Sequence, residues 1–240
     1  MSTGQSDDVL FKIVLVGESA VGKSCLIAKY IKNTFQSNFV ATLGGAFSRK
    51  EVYIKELDKT IKFDVWDTAG QEKYRSIAKM YYKDANAAII VYDITREESF
   101  LEIKKFWFNE VKENSPESTV IAIAGNKKDL YEYEEVSKDE GETFAFSQGA
   151  IFKETSAKEG DGINELFKMI GIKLLSPDYY EKIMGEENGK FQRMKKSSIL
   201  LSSGNDNKNE MTDSKFVSGG MKESIISSQS SKQKGGCCKK

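Results

Sequence analysis

A lysine and a serine close a glycine-bounded segment near the start of the chain, from Gly17 to Ser24 (GESAVGKS). The pattern G-x-x-x-x-G-K-[ST] is typical of a P-loop, in which backbone N–H groups and a helix N-terminus hold phosphate. Lys23 would reach the β- and γ-phosphates, and the Ser24 hydroxyl would complete the shell of a Mg²⁺ ion. An apolar run precedes the segment and a helical pattern follows it, which favours nucleoside triphosphate binding over a chance match.

A second polar group, Asp67 to Gln71, follows an apolar strand pattern that ends at Trp66. We expect Asp67 to lie beside the Mg²⁺ ion and to contact it through a water molecule. The Gly70 N–H can donate to the γ-phosphate, and the Gln71 amide can orient an attacking water because it donates and accepts at once. Asp67 alone could equally be an ordinary turn residue. Its place downstream of a P-loop favours the metal site.

The segment from Asn126 to Asp129 (NKKD) follows another buried strand pattern. The Asp129 carboxylate can accept from both the ring N1–H and the exocyclic amine of guanine, a donor pair that adenine lacks. A charged surface loop is the alternative for this short motif alone. Together with the P-loop, the motif predicts GTP rather than ATP.

Two weaker segments complete the predicted site. Ala157, within Thr155 to Lys158, can offer its N–H to the guanine carbonyl oxygen, and Lys158 can pack along the base. Thr42 lies between the first predicted helix and the next strand, where its hydroxyl and N–H can meet Mg²⁺ and the γ-phosphate together. Thr42 would then bind only the triphosphate state.

Strand-like and helical patterns alternate between residues 9 and 175, which predicts an α/β P-loop NTPase fold. The sheet should be doubly wound and mostly parallel, with helices on both faces. Two strands separated only by a polar turn, residues 46–55 and 60–66, predict an antiparallel hairpin at one edge. The other predicted strands are residues 11–16, 87–92, 120–124 and 150–153, and the predicted helices are 23–32, 99–114, 138–147 and 163–175. Every motif follows a strand, where open α/β sheets bind ligands.

Composition narrows the function classes. The 36 Lys and Arg residues balance 36 Asp and Glu residues, so no global basic field indicates nucleic acid as a partner. Histidine is absent, which excludes His-based acid–base chemistry and His metal ligands. The chain starts without a secretory signal pattern and carries no apolar run long enough to span a bilayer, so we expect it in the cytosol.

The chain is expected to divide into a flexible N-terminus (1–8), a nucleotide-binding domain (9–177) and a disordered tail (178–240) of polar composition. The tail ends in Cys237, Cys238 and two lysines, which does not fit a C-a-a-X motif. Two lipid chains on adjacent cysteines would anchor a protein stably, whereas one chain gives marginal binding. Two reactive thiols on a frayed end are the alternative.

Across residues 9–175 these motifs resemble the small GTPases of the Ras superfamily, and residues 66–77 and 80–85 resemble the Rab family in particular. The resemblance implies that Phe35 stacks on guanine, that Thr42 belongs to switch I, and that residues 67–82 form switch II. It also implies an effector surface formed by Phe47, Trp66 and Tyr81, although burial statistics alone favour core positions for aromatic residues. Switch I departs from the family pattern at Leu43 and Gly45.

The resemblance implies three sets of site residues. Catalysis would use Lys23, Thr42 and Gln71, and Mg²⁺ would be held by Ser24, Thr42 and, through water, Asp67. The nucleotide contacts would come from Ser19, Ala20, Val21, Gly22, Lys23, Ser24, Cys25, Phe35, Thr42, Gly70, Asn126, Lys127, Asp129, Ser156, Ala157 and Lys158. Cys25 is also predicted to be a small core residue of the first helix.

The implied function is a GTP/GDP switch in vesicle trafficking that requires Mg²⁺, hydrolyses GTP slowly and is stimulated by a GTPase-activating protein. The other implied partners are effectors, an exchange factor, a GDP-dissociation inhibitor and a Rab escort protein. Geranylgeranyl groups on Cys237 and Cys238 would hold the monomer on the cytoplasmic face of intracellular membranes, with an endosomal preference, while it cycles with the cytosol. The alternatives are a nucleotide-locked scaffold without turnover and a Ras- or Rho-like signalling GTPase.

Overall fold

The computed structural model describes residues 9–36, 46–68 and 80–185. Six described strands form one sheet in the order β2-β3-β1-β4-β5-β6. All neighbours pair in parallel except β2 and β3, which are antiparallel. The strands are β1 (Val9–Val16), β2 (Ala46–Ile54), β3 (Lys59–Asp67), β4 (Ala87–Asp93), β5 (Val120–Asn126) and β6 (Ile151–Glu154). The predicted mostly parallel sheet with one antiparallel edge pair is confirmed.

Helices connect the strands and cover the sheet. The described helices are α1 (Lys23–Lys32), α2 (97–114), α3 (Lys138–Ser147), α4 (Ile163–Leu175) and α5 (177–185), with short 3-10 turns at Lys55–Leu57 and Lys128–Tyr133. One turn of α2, Ile103–Trp107, is π-helical. None of the helices in the described part of the chain is long and apolar enough to cross a bilayer.

Strand β1 shows why the sheet needs cover on both sides. Ile13 and Leu15 pack into a core with α1 and α4, whereas Val14 and Val16 pack into a second core with α2 and α3. All four side chains are fully buried. The sequence of a parallel strand that is buried on both faces is a continuous apolar run rather than an alternation of apolar and polar residues. The predicted helices on both faces are confirmed.

The fold continues beyond the predicted domain boundary. The predicted disordered tail starts at residue 178, but residues 177–185 are helical, and Tyr180 is only 6% exposed. Tyr180 belongs to the core formed with α1 and α4, and Tyr179, Ile183 and Met184 pack against that core. The Lys173 ammonium also lies 4.7 Å from the centre of the Tyr180 ring. The start of the tail is therefore corrected, because these apolar residues bury one face of a further helix.

Candidate nucleotide-binding site

The loop between β1 and α1 has a backbone that depends on glycine. Gly17 and Gly22 have φ values of 136° and 96°, in the region that side chains rarely adopt. A Cβ atom on Gly17 would overlap the Val91 carbonyl oxygen, and one on Gly22 would overlap the Asn126 amide nitrogen. The loop thus packs directly against β4 and against the NKKD segment.

Lys23 is buried within this loop. Its ammonium donates hydrogen bonds to the carbonyl oxygens of Gly17 and Glu18, both at 2.8 Å. Burial lowers the pKa of Lys23 to about 8, and the nearby carboxylates of Asp67 and Glu18 oppose that shift. A desolvated ammonium that is bonded to two carbonyl oxygens can bind phosphate oxygens in their place, and phosphate oxygens are the stronger acceptors because they carry more negative charge.

Ser24 and Asp67 place two hard oxygen ligands side by side. Asp67 is the last residue of β3, which lies next to β1, and Ser24 is in the first turn of α1. The Ser24 hydroxyl donates to the Asp67 carboxylate at 2.5 Å. Hydroxyl and carboxylate oxygens are ligands that Mg²⁺ prefers. These two residues therefore fit the predicted metal ion, whereas the third predicted ligand, Thr42, lies outside the described residues.

The residues predicted to bind the base converge after the ends of β5 and β6. The Ser156 hydroxyl donates to one oxygen of the Asp129 carboxylate at 2.6 Å, and the Lys158 ammonium lies 3.9 Å from the other. The Asp129 side chain is 8% exposed and that of Lys158 is 57% exposed. The structure thus places Asp129, Ser156, Ala157 and Lys158 in one group, and their role in binding guanine stays a prediction.

Asn126 joins the base loops to the phosphate loop. This buried side chain donates from its amide nitrogen to the Val21 carbonyl oxygen at 2.8 Å. Its amide oxygen accepts from the Thr155 hydroxyl and from the Ala157 N–H, both at 3.2 Å. The motif predicted a nucleotide contact for Asn126, but sequence reasoning missed this three-way connection and the part of Thr155 in it.

Lys127 is held by an acidic residue that sequence reasoning missed. Lys127 adopts a left-handed backbone conformation, and its ammonium lies 2.6 Å from the carboxylate of Asp93. Asp93 is the buried last residue of β4, and it also accepts from the backbone N–H and the hydroxyl of Thr95. The signal in the sequence that could have indicated this role is a single Asp residue at the end of a buried strand pattern. The ion pair with Asp93 fixes the orientation of the Lys127 side chain.

The remaining predicted site residues have varied positions. Cys25 is half-buried on α1 and packs against the core, as predicted for a core residue, and burial raises the pKa of its thiol. Phe35 is exposed in the segment after α1. Five predicted functional residues lie outside the described residues: Thr42, Gly70, Gln71, Cys237 and Cys238.

Phe47, Trp66 and Tyr81 form a continuous aromatic patch. Phe47 and Trp66 are cross-strand partners on β2 and β3, with ring centres 5.3 Å apart. The Trp66 and Tyr81 rings are 5.9 Å apart. Phe47 is 50% exposed, so this residue is not a core aromatic. Trp66 and Tyr81 are partly buried and pack against the core formed with α2 and α3, so the aromatic patch extends from that core to the exposed Phe47 ring.

Comparison with known proteins identifies the family. A family model described as the Ras family matches residues 12–176. This chain belongs to the Ras family. It is also 45% identical over 178 residues to the GTP-binding protein ypt5 of Schizosaccharomyces pombe, a match that covers 74% of this chain and 83% of that protein. These findings confirm the predicted Rab-type small GTPase of vesicle trafficking within the Ras family.

Proposed function

We propose that this Rab-type GTPase binds Mg²⁺–GTP, recruits effectors while GTP is bound, and ends that state by hydrolysing GTP slowly. The observation that carries the proposal is the meeting of three motifs at one edge of the sheet. Lys23 supplies the buried cation, Ser24 and Asp67 supply the metal-ligating oxygens, and Asn126 connects the phosphate loop to the base-reading loops. No other arrangement in the described part of the chain combines these groups.

Each site residue that the structure describes would have a distinct role in binding the nucleotide or the metal ion. Lys23 would exchange the Gly17 and Glu18 carbonyl oxygens for oxygens of the β- and γ-phosphates. The Asp129 carboxylate would accept from the guanine N1–H and amine, and Ala157 would donate to the guanine carbonyl oxygen. Ser24 and Asp67, with Thr42, would hold the metal ion, which neutralises phosphate charge when bound.

Hydrolysis in this chain relies on a positioned water molecule because no histidine is present. The Gln71 amide would orient a water whose oxygen attacks the γ-phosphorus, while the bond to the β–γ bridging oxygen breaks to leave GDP and phosphate. Such sites turn over at about 10⁻⁴ per second alone, and a GTPase-activating protein with an arginine finger raises the rate by about 10⁵. Loss of the γ-phosphate would release Thr42 and Gly70 and end effector binding.

The Gln71→Leu variant tests this catalytic assignment. Leucine cannot hydrogen-bond water, so we expect single-turnover GTP hydrolysis to fall about tenfold or more while GTP binding is retained. Phosphate release from protein preloaded with GTP measures the rate. The matched control is Gln148→Leu, at the exposed end of α3, which should hydrolyse GTP like the wild type. A wild-type rate in Gln71→Leu would contradict the role of Gln71.

We propose in addition that the protein acts as a monomer on the cytoplasmic face of intracellular membranes, with endosomes as the preferred membrane. Two geranylgeranyl groups, on Cys237 and Cys238, would provide stable anchoring, because one chain gives marginal binding. An escort protein would present the chain for modification, and a GDP-dissociation inhibitor would return it to the cytosol. An exchange factor would reload it, and the aromatic patch would bind its effectors.

Mass spectrometry tests the anchor. After incubation with geranylgeranyl diphosphate, Rab transferase and escort protein, we expect two added chains on the wild type and one on Cys238→Ser. Cys25 is the internal control, because it is half-buried in α1 and should stay unmodified. Absence of any modification on a protein that still binds guanine nucleotide would contradict the anchor and favour a soluble switch.

A further inference from the structure

An arginine outside the nucleotide-binding motifs forms a hydrogen bond to the P-loop. Arg96 immediately precedes α2, and its guanidinium Nη2 donates to the Ser19 carbonyl oxygen at 3.0 Å. The backbone at Arg96 is itself fixed. Its N–H donates to the Asp93 carbonyl oxygen at 3.0 Å, and its carbonyl oxygen accepts from the buried Ser99 hydroxyl at 2.7 Å. The guanidinium therefore projects toward the loop from a rigid base.

This hydrogen bond sets the orientation of one peptide group in the P-loop. In a trans peptide the C=O and the following N–H point in opposite directions. The chain that supplies Arg96 continues from β4, whose Val91 carbonyl backs the loop at Gly17. With the Ser19 carbonyl held on this backing side, the Ala20 N–H must face the other side of the loop. Backbone N–H groups on that side are the donors that hold phosphate in a P-loop.

Ala20 needs such a restraint. Its φ of 64° is left-handed, a conformation that costs free energy for any residue with a Cβ atom. A residue in this region keeps its conformation only when the surroundings determine it. The peptide between Ser19 and Ala20 is the group that would rotate if Ala20 relaxed, and the Arg96 hydrogen bond opposes that rotation.

A neighbouring contact ties the same loop to α2. The Trp107 indole N–H donates to the Glu18 carboxylate at 3.2 Å. Trp107 ends the π-helical turn of α2, and such turns are frequent at functional sites. Two consecutive P-loop residues, Glu18 and Ser19, are thus held by groups at the start and in the middle of one helical segment.

We propose that Arg96 is a positioning residue for phosphate binding, which holds the Ser19–Ala20 peptide with its N–H toward the phosphates. The inference rests on nucleotide binding as proposed above and adds a residue that lies outside the nucleotide-binding motifs. Loss of Arg96 should therefore shorten nucleotide residence without removing any phosphate ligand.

Dissociation of a fluorescent GDP analogue from the full-length protein tests the proposal. We expect Arg96→Ala to release GDP about tenfold faster than wild type, the scale of one charge-assisted hydrogen bond. Arg96→Lys, which keeps one cationic donor, should restore part of the lost residence time. The matched control is Arg49→Ala, which removes an exposed guanidinium that pairs with Asp64 and should leave the rate unchanged.

Two further readouts separate positioning from general stability. Glycine adopts positive φ without strain, so Arg96→Ala should accelerate GDP release less in an Ala20→Gly background than in the wild type. Amide hydrogen exchange at Ala20 in the GDP complex should quicken in Arg96→Ala, while exchange in α4 stays as in wild type.

Equal GDP release from Arg96→Ala and wild type would overturn the proposal. Additive effects of the two substitutions, or faster exchange throughout α4, would overturn it as well, because each would indicate general destabilisation. A wild-type protein that retains no GDP would contradict the proposed function instead.

Discussion

Substitution of Asp129 by asparagine is expected to lower the affinity for GTP by about 10³-fold and to shift the preference toward xanthosine triphosphate. An amide offers one acceptor and one donor where the carboxylate offers two acceptors, so it leaves one guanine N–H group unpaired. Xanthine carries a carbonyl in place of the guanine amine, and that carbonyl can accept from the amide. The Ser156 hydroxyl, which donates to one Asp129 oxygen at 2.6 Å, can still donate to an amide oxygen.

Competition between guanine and xanthine nucleotides for the protein measures this shift. The matched control is Asp161→Asn, a nearby carboxylate that is 57% exposed and pairs with Lys128 at 3.4 Å. We expect the control to keep the wild-type preference, because removal of a solvent-screened ion pair changes little. An Asp129→Asn protein that still prefers GTP would show that this carboxylate does not read the base.

Substitution of Ser24 by asparagine is expected to lower Mg²⁺-dependent GTP affinity by about 10²-fold and to leave the protein mostly in the GDP-bound or empty state. The substitution removes the hydroxyl that donates to Asp67 and would ligate the ion. Asparagine is also longer, so its amide cannot occupy the same position beside the carboxylate. The affinity for GTP should fall more than the affinity for GDP, because an ion held by Ser24 and Asp67 would neutralise the extra charge of the γ-phosphate, which GDP lacks.

Nucleotide affinity measured over a range of Mg²⁺ concentrations tests this prediction. Ser24→Thr is the conservative control, since threonine keeps the hydroxyl and also fits the P-loop pattern. Its Mg²⁺ dependence should match that of wild type. If Ser24→Asn loads GTP as well as Ser24→Thr, the metal assignment of Ser24 is wrong.

The main elements of the fold were predictable because their signals are local. Helices α1, α3 and α4 have the predicted bounds, 23–32, 138–147 and 163–175. Helix α3 starts after a serine cap, where the Ser137 hydroxyl accepts from the Glu140 N–H. The edge hairpin also followed from sequence, since only a short polar turn separates two alternating strands. Apolar periodicity and helix caps depend on residues that are close together in the chain, so they can be recognised in a single sequence.

The missed features depend on contacts between distant segments. The polar composition of residues 178–240 hid helix α5, whose four apolar residues between 179 and 184 are spaced for one helix face. Arg96 and Ser19 are 77 positions apart, and no local pattern joins an arginine before one helix to a carbonyl in the P-loop. Asp93 and Lys127 likewise meet only because β4 and β5 are neighbours in the sheet.

The buried Asn126 amide has a thermodynamic consequence. Because one side chain bonds to the Val21 carbonyl and to the Ala157 N–H, ordering of either loop orders part of the other. Guanosine and pyrophosphate, offered as separate fragments, should therefore each bind more tightly when the other is present, and linkage makes the gain equal in both directions. The same reciprocity works in reverse. A regulator that displaces either the phosphate loop or the base-binding loops should therefore weaken nucleotide binding at both.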